Sequence, residues 1–506
     1  MTVEAIFGPP GCGKTHTLID LVKQALERGV APDRIAYVSF TKKAVNEAVK
    51  RAGEAFGLTQ KDLPYFRTLH SLCFRSLGLN KSDVMDAEDW ANLGRELRLN
   101  FKEGRNVNLD DGQLLPSEGS DDGYLRIIDR AALRQVSLER EFNDAQDYAL
   151  SYPALLRVSA TLESYKKARN RFHFTDMLQY FIKSNMPPRL ELLIVDEAQD
   201  LVPLQWSVVK VLASNSQNVY YAGDDDQAIH EWAGVDVKHF LNCSDDKRIL
   251  TQSYRLPIKV HTLAENLVRR ISVRQKKVWA PTSREGSVRF HMDRFSVPLN
   301  QGSWTAMART NYQVAELAKA FRDDGVYFQR GDYRSIPLDV AFSIESLTNL
   351  YKGMPISKDT AKRLYKKLPK SGNRTALREG ALSSLDTADP EGLYDFNLLT
   401  LDYGLRVPKD KDPLQVLNIN SEDEVYIRSV IRRGENIIEP PKIKLSTVHA
   451  MKGGEDDNIM LMLDSTKNCV TNPDQDTEHR VFYVGITRAK HNLHIVESNR
   501  KYRYEI

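Results

Sequence analysis

At 506 residues the chain is too long for one hydrophobic core, and roughly three or four folded units are expected. Hydrophobic residues make up 41%, charged residues 27% and aromatics 9%, an ordinary globular usage that excludes a disordered, collagen-like or coiled-coil chain. Lys+Arg at 71 nearly balance Asp+Glu at 68, so a formal charge of +3 points to no polyanionic partner by itself. Cys12, Cys73, Cys243 and Cys469 lie far apart with no C-x-x-C pair, which argues for a reducing compartment and against a zinc site or a disulfide framework. The opening residues carry no basic stretch before an apolar one, and no apolar run approaches the ~20 residues needed to span a bilayer. A cytoplasmic protein of several domains, without a membrane partner, is the expectation.

In chain order, Val3–Phe7 reads as an apolar strand, Thr15–Arg28 as a helix, Ile35–Phe40 as a strand and Lys42–Ala52 as a helix. That order implies an α/β fold, a parallel sheet covered by helices. Leu77–Asn170 reads as mostly helical, with an acidic loop near Asp110–Gly123, and interrupts the sheet before the strands Leu192–Asp196 and Asn218–Ala222. Val288–Met292 and Thr305–Ala308 read as strands and Gln313–Arg322 as a helix. Asp332–Pro441 is richer in helix, Pro and charged runs such as Lys409–Asp412. Strand–loop–helix–strand then returns as Ile443–Ser446, Asn458–Leu463, Val481–Lys490 and Asn492–Glu497. There are no repeats and no low-complexity tracts.

Gly8-Pro9-Pro10-Gly11-Cys12-Gly13-Lys14-Thr15 is G-x-x-x-x-G-K-T between a strand and a helix. Such glycines let backbone N–H groups turn toward phosphate oxygens at a helix N-terminus, with Lys14 reaching the β/γ-phosphates and the Thr15 hydroxyl on Mg²⁺. Leu193–Val195 leads into Asp196-Glu197-Ala198-Gln199-Asp200. In a P-loop fold, the strand-end Asp196 holds the metal and Glu197 activates water. Read alone, a D-E pair after a strand is a solvated strand end; beside a P-loop the catalytic reading is the better one.

From here the chain resembles a UvrD/PcrA/Rep-type superfamily 1 DNA helicase. Ser39-Phe40-Thr41-Lys42-Lys43-Ala44 resembles T-F-T-N-K-A, Thr68-Leu69-His70-Ser71 resembles T-F-H-S, and Phe174–Leu178 resembles D-F-x-D-L-L. Gly223–Ile229 is similar to G-D-D-D-Q-S-I, followed by Trp232-Ala233-Gly234 for W-R-G. Gln252–Arg255 resembles Q-N-Y-R and Arg309–Asn311 resembles R-S-N. Thr447–Glu455 resembles T-x-H-x-x-K-G-L-E, and Glu478–Lys490 resembles E-E-R-R-L-x-Y-V-G-x-T-R-A.

The resemblance implies two RecA-like P-loop NTPase domains, each with a mostly helical insertion. The first is expected over 1–76 and 171–250 with its insertion at 77–170, the second over 251–331 and 442–506 with its insertion at 332–441. It implies ATP and Mg²⁺ as ligands. Catalytic roles fall on Lys14, Asp196, Glu197, Gln227, Arg255 and Arg488, the two arginines acting as fingers from the second domain. Nucleotide contacts fall on Gly8–Thr15, His16, Tyr254 and Glu455, and metal contacts on Thr15 and Asp196. Phe40, His70, Trp232, Arg309, Asn311, Thr447 and His449 match strand-binding positions, where aromatic faces stack bases and donors hold phosphates.

The implied activity is ATP-driven 3′→5′ movement on single-stranded DNA with duplex unwinding. The implied partners are single strands, single/double-strand junctions and replication or repair proteins, with the chain itself a monomer. Two other readings stay open: a P-loop ATPase switch or translocase that does not unwind, and an RNA-acting member of the same superfamily. Departures from the family are Ala233 for Arg, His230 for Tyr, Gly454 for Leu, and an expected lack of the leading segment whose Gln reads the adenine edge. The basic clusters Lys166–Arg171, Arg269–Lys277 and Lys362–Lys370 read either as phosphate contacts or as solvated helix faces.

Overall fold

Apolar side chains alternate along the N-terminal strands into two cores. Ala5 and Phe7, Ala36 and Val38, Leu193 and Val195 enter one; Ile6, Ile35, Tyr37, Leu192 and Ile194 enter the other. Strands buried on both faces need parallel neighbours and helical covers, which is what the near-continuous apolar runs imply. The computed structural model, which describes residues 2–40, 42–101, 121–145, 149–370, 375–409, 411–497 and 500–506, has this arrangement. Most of the acidic loop near Asp110–Gly123, Thr41 and Asp410 lie outside the described residues.

The first sheet joins β1 (Thr2–Phe7), β2 (Ile35–Ser39), β3 (Tyr65–Thr68), β4 (Leu190–Asp196), β5 (Ser216–Gly223) and β6 (Lys247–Ile249) in the order β3-β2-β4-β5-β1-β6, every pair parallel. The P-loop, Phe40, Thr68, Asp196–Glu197 and Asp224–Gln227 therefore all leave the carboxyl ends of neighbouring strands. In open α/β sheets this is the edge where ligands bind.

The second sheet is built from β7 (Ser287–His291), β8 (Trp304–Ala308), β9 (Phe328–Arg330), β10 (Tyr333–Arg334), β13 (Ile443–Thr447), β14 (Asp456–Met462) and β15 (Ala489–Val496). Its order is β10-β9-β13-β8-β14-β15-β7, parallel except for the β9–β10 hairpin. A short antiparallel pair, β11 (Ile356–Ser357) and β12 (Leu393–Tyr394), sits in the second insertion. The fold class is α/β with two RecA-like sheets. Each insertion closes a core of its own, one around Trp90, Leu93, Leu155 and Leu162, the other around Ala341, Leu347, Tyr365 and Val430. Among the described residues no helix is long and apolar enough to cross a membrane.

The chain divides into two compact units elsewhere than the expected boundary at 250/251. One is Met1–Gly286 with Pro473–Thr487; the other is Ser287–Asn472 with Arg488–Ile506. Residues 251–286 join the first unit because their start is tied to the P-loop: Tyr254 N–H donates to Gly11 O at 2.8 Å and the Ser253 hydroxyl to Pro10 O at 2.7 Å. The helix Ile258–Val268 then packs on the helix Asp476–Ile486, which is also of the first unit. The C-terminal helix expected over Val481–Lys490 thus starts earlier and ends before β15.

Candidate active site

Two glycines shape the loop after β1. Gly11 and Gly13 have φ of +70° and +77°, and a Cβ on Gly11 would lie 2.3 Å from Arg255 Cβ, so no other residue fits there. Gly8 N–H donates to Gly223 O at 2.8 Å and Cys12 N–H to Pro9 O at 3.2 Å, which fixes both ends of the loop. Gly13 caps the helix Lys14–Glu27, whose first turn carries no acid and whose cap has no side-chain bond. Its leading N–H groups are thereby left to face an anion. Cys12 is buried in the loop and its thiol is pushed up to about 11 by burial, so it fills space there as a neutral group. His16 points outward on the first turn, 3.5 Å from Asp20.

The Lys14 ammonium meets the two acids at the end of β4. Nζ lies 2.6 Å from Glu197 Oε1 and 3.3 Å from Asp196 Oδ1. Burial alone would lower its pKa, but Asp196 and Glu197 outweigh burial and hold Lys14 charged well above the usual lysine range. Asp196 is pinned on both oxygens: Oδ2 accepts from the buried Tyr37 hydroxyl at 2.6 Å and Oδ1 from Glu197 N–H at 2.9 Å. Burial, with Glu197 beside it, pushes the Asp196 carboxyl up against the pull of Lys14 and Tyr37. Glu197 has φ +54°, a left-handed conformation unusual for a residue with a side chain, at the point where the carboxylate must turn back toward the loop. Asp196 and the Thr15 hydroxyl are hard oxygen donors, and Asp196 already faces a cation. The pair fits the needs of Mg²⁺.

Gln199 links this acid pair to the next strand end. Its Nε2 donates to Glu197 Oε2 at 2.6 Å and to Asp200 Oδ2 at 3.0 Å, while Oε1 accepts from Asp224 N–H at 3.1 Å. Asp224 Oδ2 in turn accepts from Gln227 Nε2 at 2.7 Å. The carboxylates of Asp224, Asp225 and Asp226 crowd within 4.8 Å of one another, and the fully buried Lys277 fills their centre. Its Nζ is 2.9 Å from Asp224 and 2.8 Å from Asp226, and it also binds Asp225. Arg274 grips Asp226 through two bonds of 2.7 and 2.6 Å.

In this same unit Tyr254 is exposed, its ring over the Gly13 position, and Arg255 is half-buried against Gly11. Arg255 was expected to come from the second domain; the ties of 252–255 to the P-loop place it with the first. Trp232 is 49% exposed, and its ring stands edge-on to His230 at 6.1 Å, with Phe40 next at 6.0 Å from His230. These three rings form one cluster. His70 does not join it. It is 5% exposed and packed edge-on to Phe174, and burial, with His173 beside it, lowers its pKa to about 4. A side chain so enclosed is a core histidine, because residue 70 opens a helix whose inner face packs on Phe174–Ser184.

In the second unit, Arg309, Asn311, Thr447 and His449 gather at the carboxyl ends of the paired strands β8 and β13, where Thr447 stands opposite Ala308 and Val448 N–H donates to Ala308 O at 3.1 Å. Arg330 Nη2 donates to Asn311 Oδ1 at 3.3 Å. Glu455 and Arg488 sit together at the opposite, amino edge of that sheet. Asp456 N–H donates to Arg488 O at 3.1 Å, and the buried Arg488 donates through Nη1 to Gly454 O at 3.2 Å.

Sequence reasoning did not find Tyr37, Gln199, Arg274, Lys277 or Arg480. Lys277 and Lys166, members of the basic runs Arg269–Lys277 and Lys166–Arg171, meet neither solvent nor phosphate; both are buried in ion pairs, Lys166 with Asp176 at 2.8 Å and Glu163 at 2.6 Å. One signal was present. Three consecutive acids directly after an apolar strand need cations once the fold buries them, and Arg274 and Lys277 supply them.

Two family models match the chain: the UvrD/REP helicase N-terminal domain over residues 2–248 and the UvrD-like helicase C-terminal domain over residues 414–500. Among curated relatives, the ATP-dependent DNA helicase PcrA of Staphylococcus aureus (strain NCTC 8325 / PS 47) is 25% identical over 317 residues, covering 56% of this chain and 40% of that protein. The ATP-dependent DNA helicase PcrA of Staphylococcus epidermidis (strain ATCC 12228 / FDA PCI 1200) is 26% identical over 345 residues, covering 64% and 44%. The matches thus span less than half of either relative. A solved structure, the Arterivirus nonstructural protein 10 helicase, is 10% identical with a TM-score of 0.35, covering 99% of this chain and 60% of its own; a likeness that slight carries no weight here. With the motifs in order, the strand-edge site formed and both models matched, the chain belongs to the UvrD/Rep-type family of superfamily 1 helicases.

Proposed function

We propose that the chain is an ATP-driven motor on single-stranded DNA that moves 3′→5′ and unwinds duplex ahead of it. The observation that carries this reading is the strand-edge cluster in which Lys14 meets Asp196 and Glu197 while Gln199 and Asp224 lead on to Gln227. The parts have complementary tasks. The P-loop N–H groups and Lys14 hold phosphate oxygens, and Lys14, on turning to them, releases Glu197 Oε1 to orient and deprotonate water. Thr15 and Asp196 would hold Mg²⁺, which supplies charge neutralisation on the phosphates when bound. Gln227 senses the terminal phosphate, Arg255 offers a cation to the charge that builds on it, and Tyr254 stacks on the base. Phe40 and Trp232 offer base-stacking faces, and Arg309, Asn311, Thr447 and His449 form a polar second contact with the strand.

Hydrolysis measured with and without oligothymidylate, together with unwinding of duplexes carrying a 3′ or a 5′ tail, tests this reading. The expected result is strong stimulation by the single strand and unwinding from the 3′ tail alone. Hydrolysis indifferent to DNA would sink the motor reading, and equal stimulation by RNA would move the substrate class.

Glu197→Gln keeps the length of the side chain and an oxygen for Lys14 but removes the base. Its single-turnover hydrolysis is expected to fall by about 10²–10⁴-fold while nucleotide affinity stays within a few-fold. Affinity lost in step with turnover would instead make Glu197 a binding group.

A further inference from the structure

The turn that carries Trp232 departs from the family pattern and is held in place by a buried arginine. Glu231 precedes Trp232 on a short 3₁₀ turn (Glu231–Ala233), and its Oε1 accepts from Arg480 Nη1 at 3.1 Å while Oε2 accepts from the Thr477 hydroxyl. Arg480 is 1% exposed, on the helix Asp476–Ile486. Its other two nitrogens donate to backbone carbonyls, Nε to Asp225 O at 3.1 Å and Nη2 to Val273 O at 2.6 Å. Asp225 opens the 3₁₀ turn that ends at Gln227. One guanidinium therefore grips both the turn bearing the phosphate-sensing Gln227 and the turn bearing Trp232. The residues between them, Ala228 and Ile229, are fully buried and leave that stretch little freedom to absorb motion.

The charge balance explains why Glu231 matters. A buried guanidinium is costly without a counter-ion. Asp225 and Asp226 are already committed to Lys277 and Arg274. Among the described residues, Glu231 is the carboxylate bonded to Arg480. Without it the arginine keeps two carbonyls and only the unbonded attraction of Asp476, whose carboxylate is engaged by Ser272 and Val273, and the hold on Asp225 O loosens as the side chain seeks water.

We propose that Glu231 is a positioning residue that couples nucleotide binding to strand binding, joining the Trp232 turn through Arg480 to the backbone of the Gln227 turn. This rests on the function proposed above and adds to it a residue that touches neither ligand. Coupling of this kind is a ratio of affinities, and ratios of 5–150-fold are typical of linked sites (about 1–3 kcal/mol).

The test is fluorescence anisotropy of labelled oligothymidylate on the full chain, with and without a non-hydrolysable ATP analogue and Mg²⁺. The analogue is expected to change wild-type DNA affinity by roughly tenfold. In Glu231→Ala that ratio is expected to fall below about twofold, while nucleotide affinity and DNA-independent hydrolysis stay within about twofold of wild type. Glu231→Gln keeps an oxygen for Arg480 and is expected to retain at least half the effect. A full ratio in Glu231→Ala overturns the proposal, as does an equal loss of DNA affinity with and without analogue, or a failure of Glu231→Gln to rescue. A wild-type chain that binds no oligonucleotide overturns the parent reading of function and this proposal with it. That outcome is distinct, because no wild-type ratio then exists.

Discussion

Lys14→Ala is expected to lose ATP hydrolysis by at least about a hundredfold, the scale found when one preorganised electrostatic group is removed from a transition state. The reason lies in what surrounds the side chain. Its ammonium is the cation paired with Asp196 and Glu197, and the P-loop backbone offers dipoles but no second full charge. Alanine leaves two acids facing the phosphate site with neutral donors from Tyr37 and Gln199 but without that ammonium, so nucleotide affinity should fall too. The pull of those acids holds Lys14 charged far above neutral pH, and no shift of pH between 6 and 9 should mimic the mutation. Steady-state hydrolysis and binding of a fluorescent ATP analogue decide the matter. Turnover retained within tenfold would mean that the loop does not hold the reacting phosphates.

The second large effect falls on stability. Lys277→Met should destabilise the first unit by about 3–5 kcal/mol, the cost of removing one partner from a buried ionic cluster. Three carboxylates share this ammonium, and Arg274 reaches only Asp226. At roughly 2–4 °C per kcal/mol, a melting temperature lower by about 10 °C is expected. The deficit should shrink as pH falls. Asp225 already titrates at about 6, pushed up by burial and by Asp226 and Asp224 against the pull of Lys277. Without Lys277 its folded pKa lies higher still above the unfolded value, so the stability it withdraws at pH 8 is regained as pH drops through that value. Melting curves at pH 8 and pH 5.5 measure this. A variant that melts like wild type at both would show that the three acids are neutralised by other means.

Local patterns carried much of this molecule. The glycine spacing, the helix that starts at Lys14 and the apolar strand ending in Asp196–Glu197 are consequences of short-range chemistry, and they could be read directly. Tyr37 and Gln199 could not, because their roles depend on partners 159 and 25 residues away, on strands whose neighbours only the sheet order reveals. Lys277 was misread for a related reason: a basic run looks the same whether it meets water or buried acids. The pattern of strand, loop and helix also says nothing about which sheet receives a helix. Asp476–Ile486, lying between two strands of the second sheet, was assigned there by adjacency, yet its buried Val481, Phe482 and Tyr483 belong to the first unit's core. His70 shows the opposite limit, since a motif match marked a position whose side chain the fold encloses.

That helix has a consequence for how the protein is made. The ribosome delivers Met1–Gly286 long before Pro473–Thr487, so for the whole interval the first unit lacks the segment that supplies Arg480 and covers the helix Ile258–Val268. Domains that emerge first usually finish folding first. This one must wait with an apolar face uncovered and Glu231 without Arg480 until residues 473–487 have been added. A fragment ending at Gly286 would remain in that waiting state, open to chaperones and proteases, however complete its P-loop.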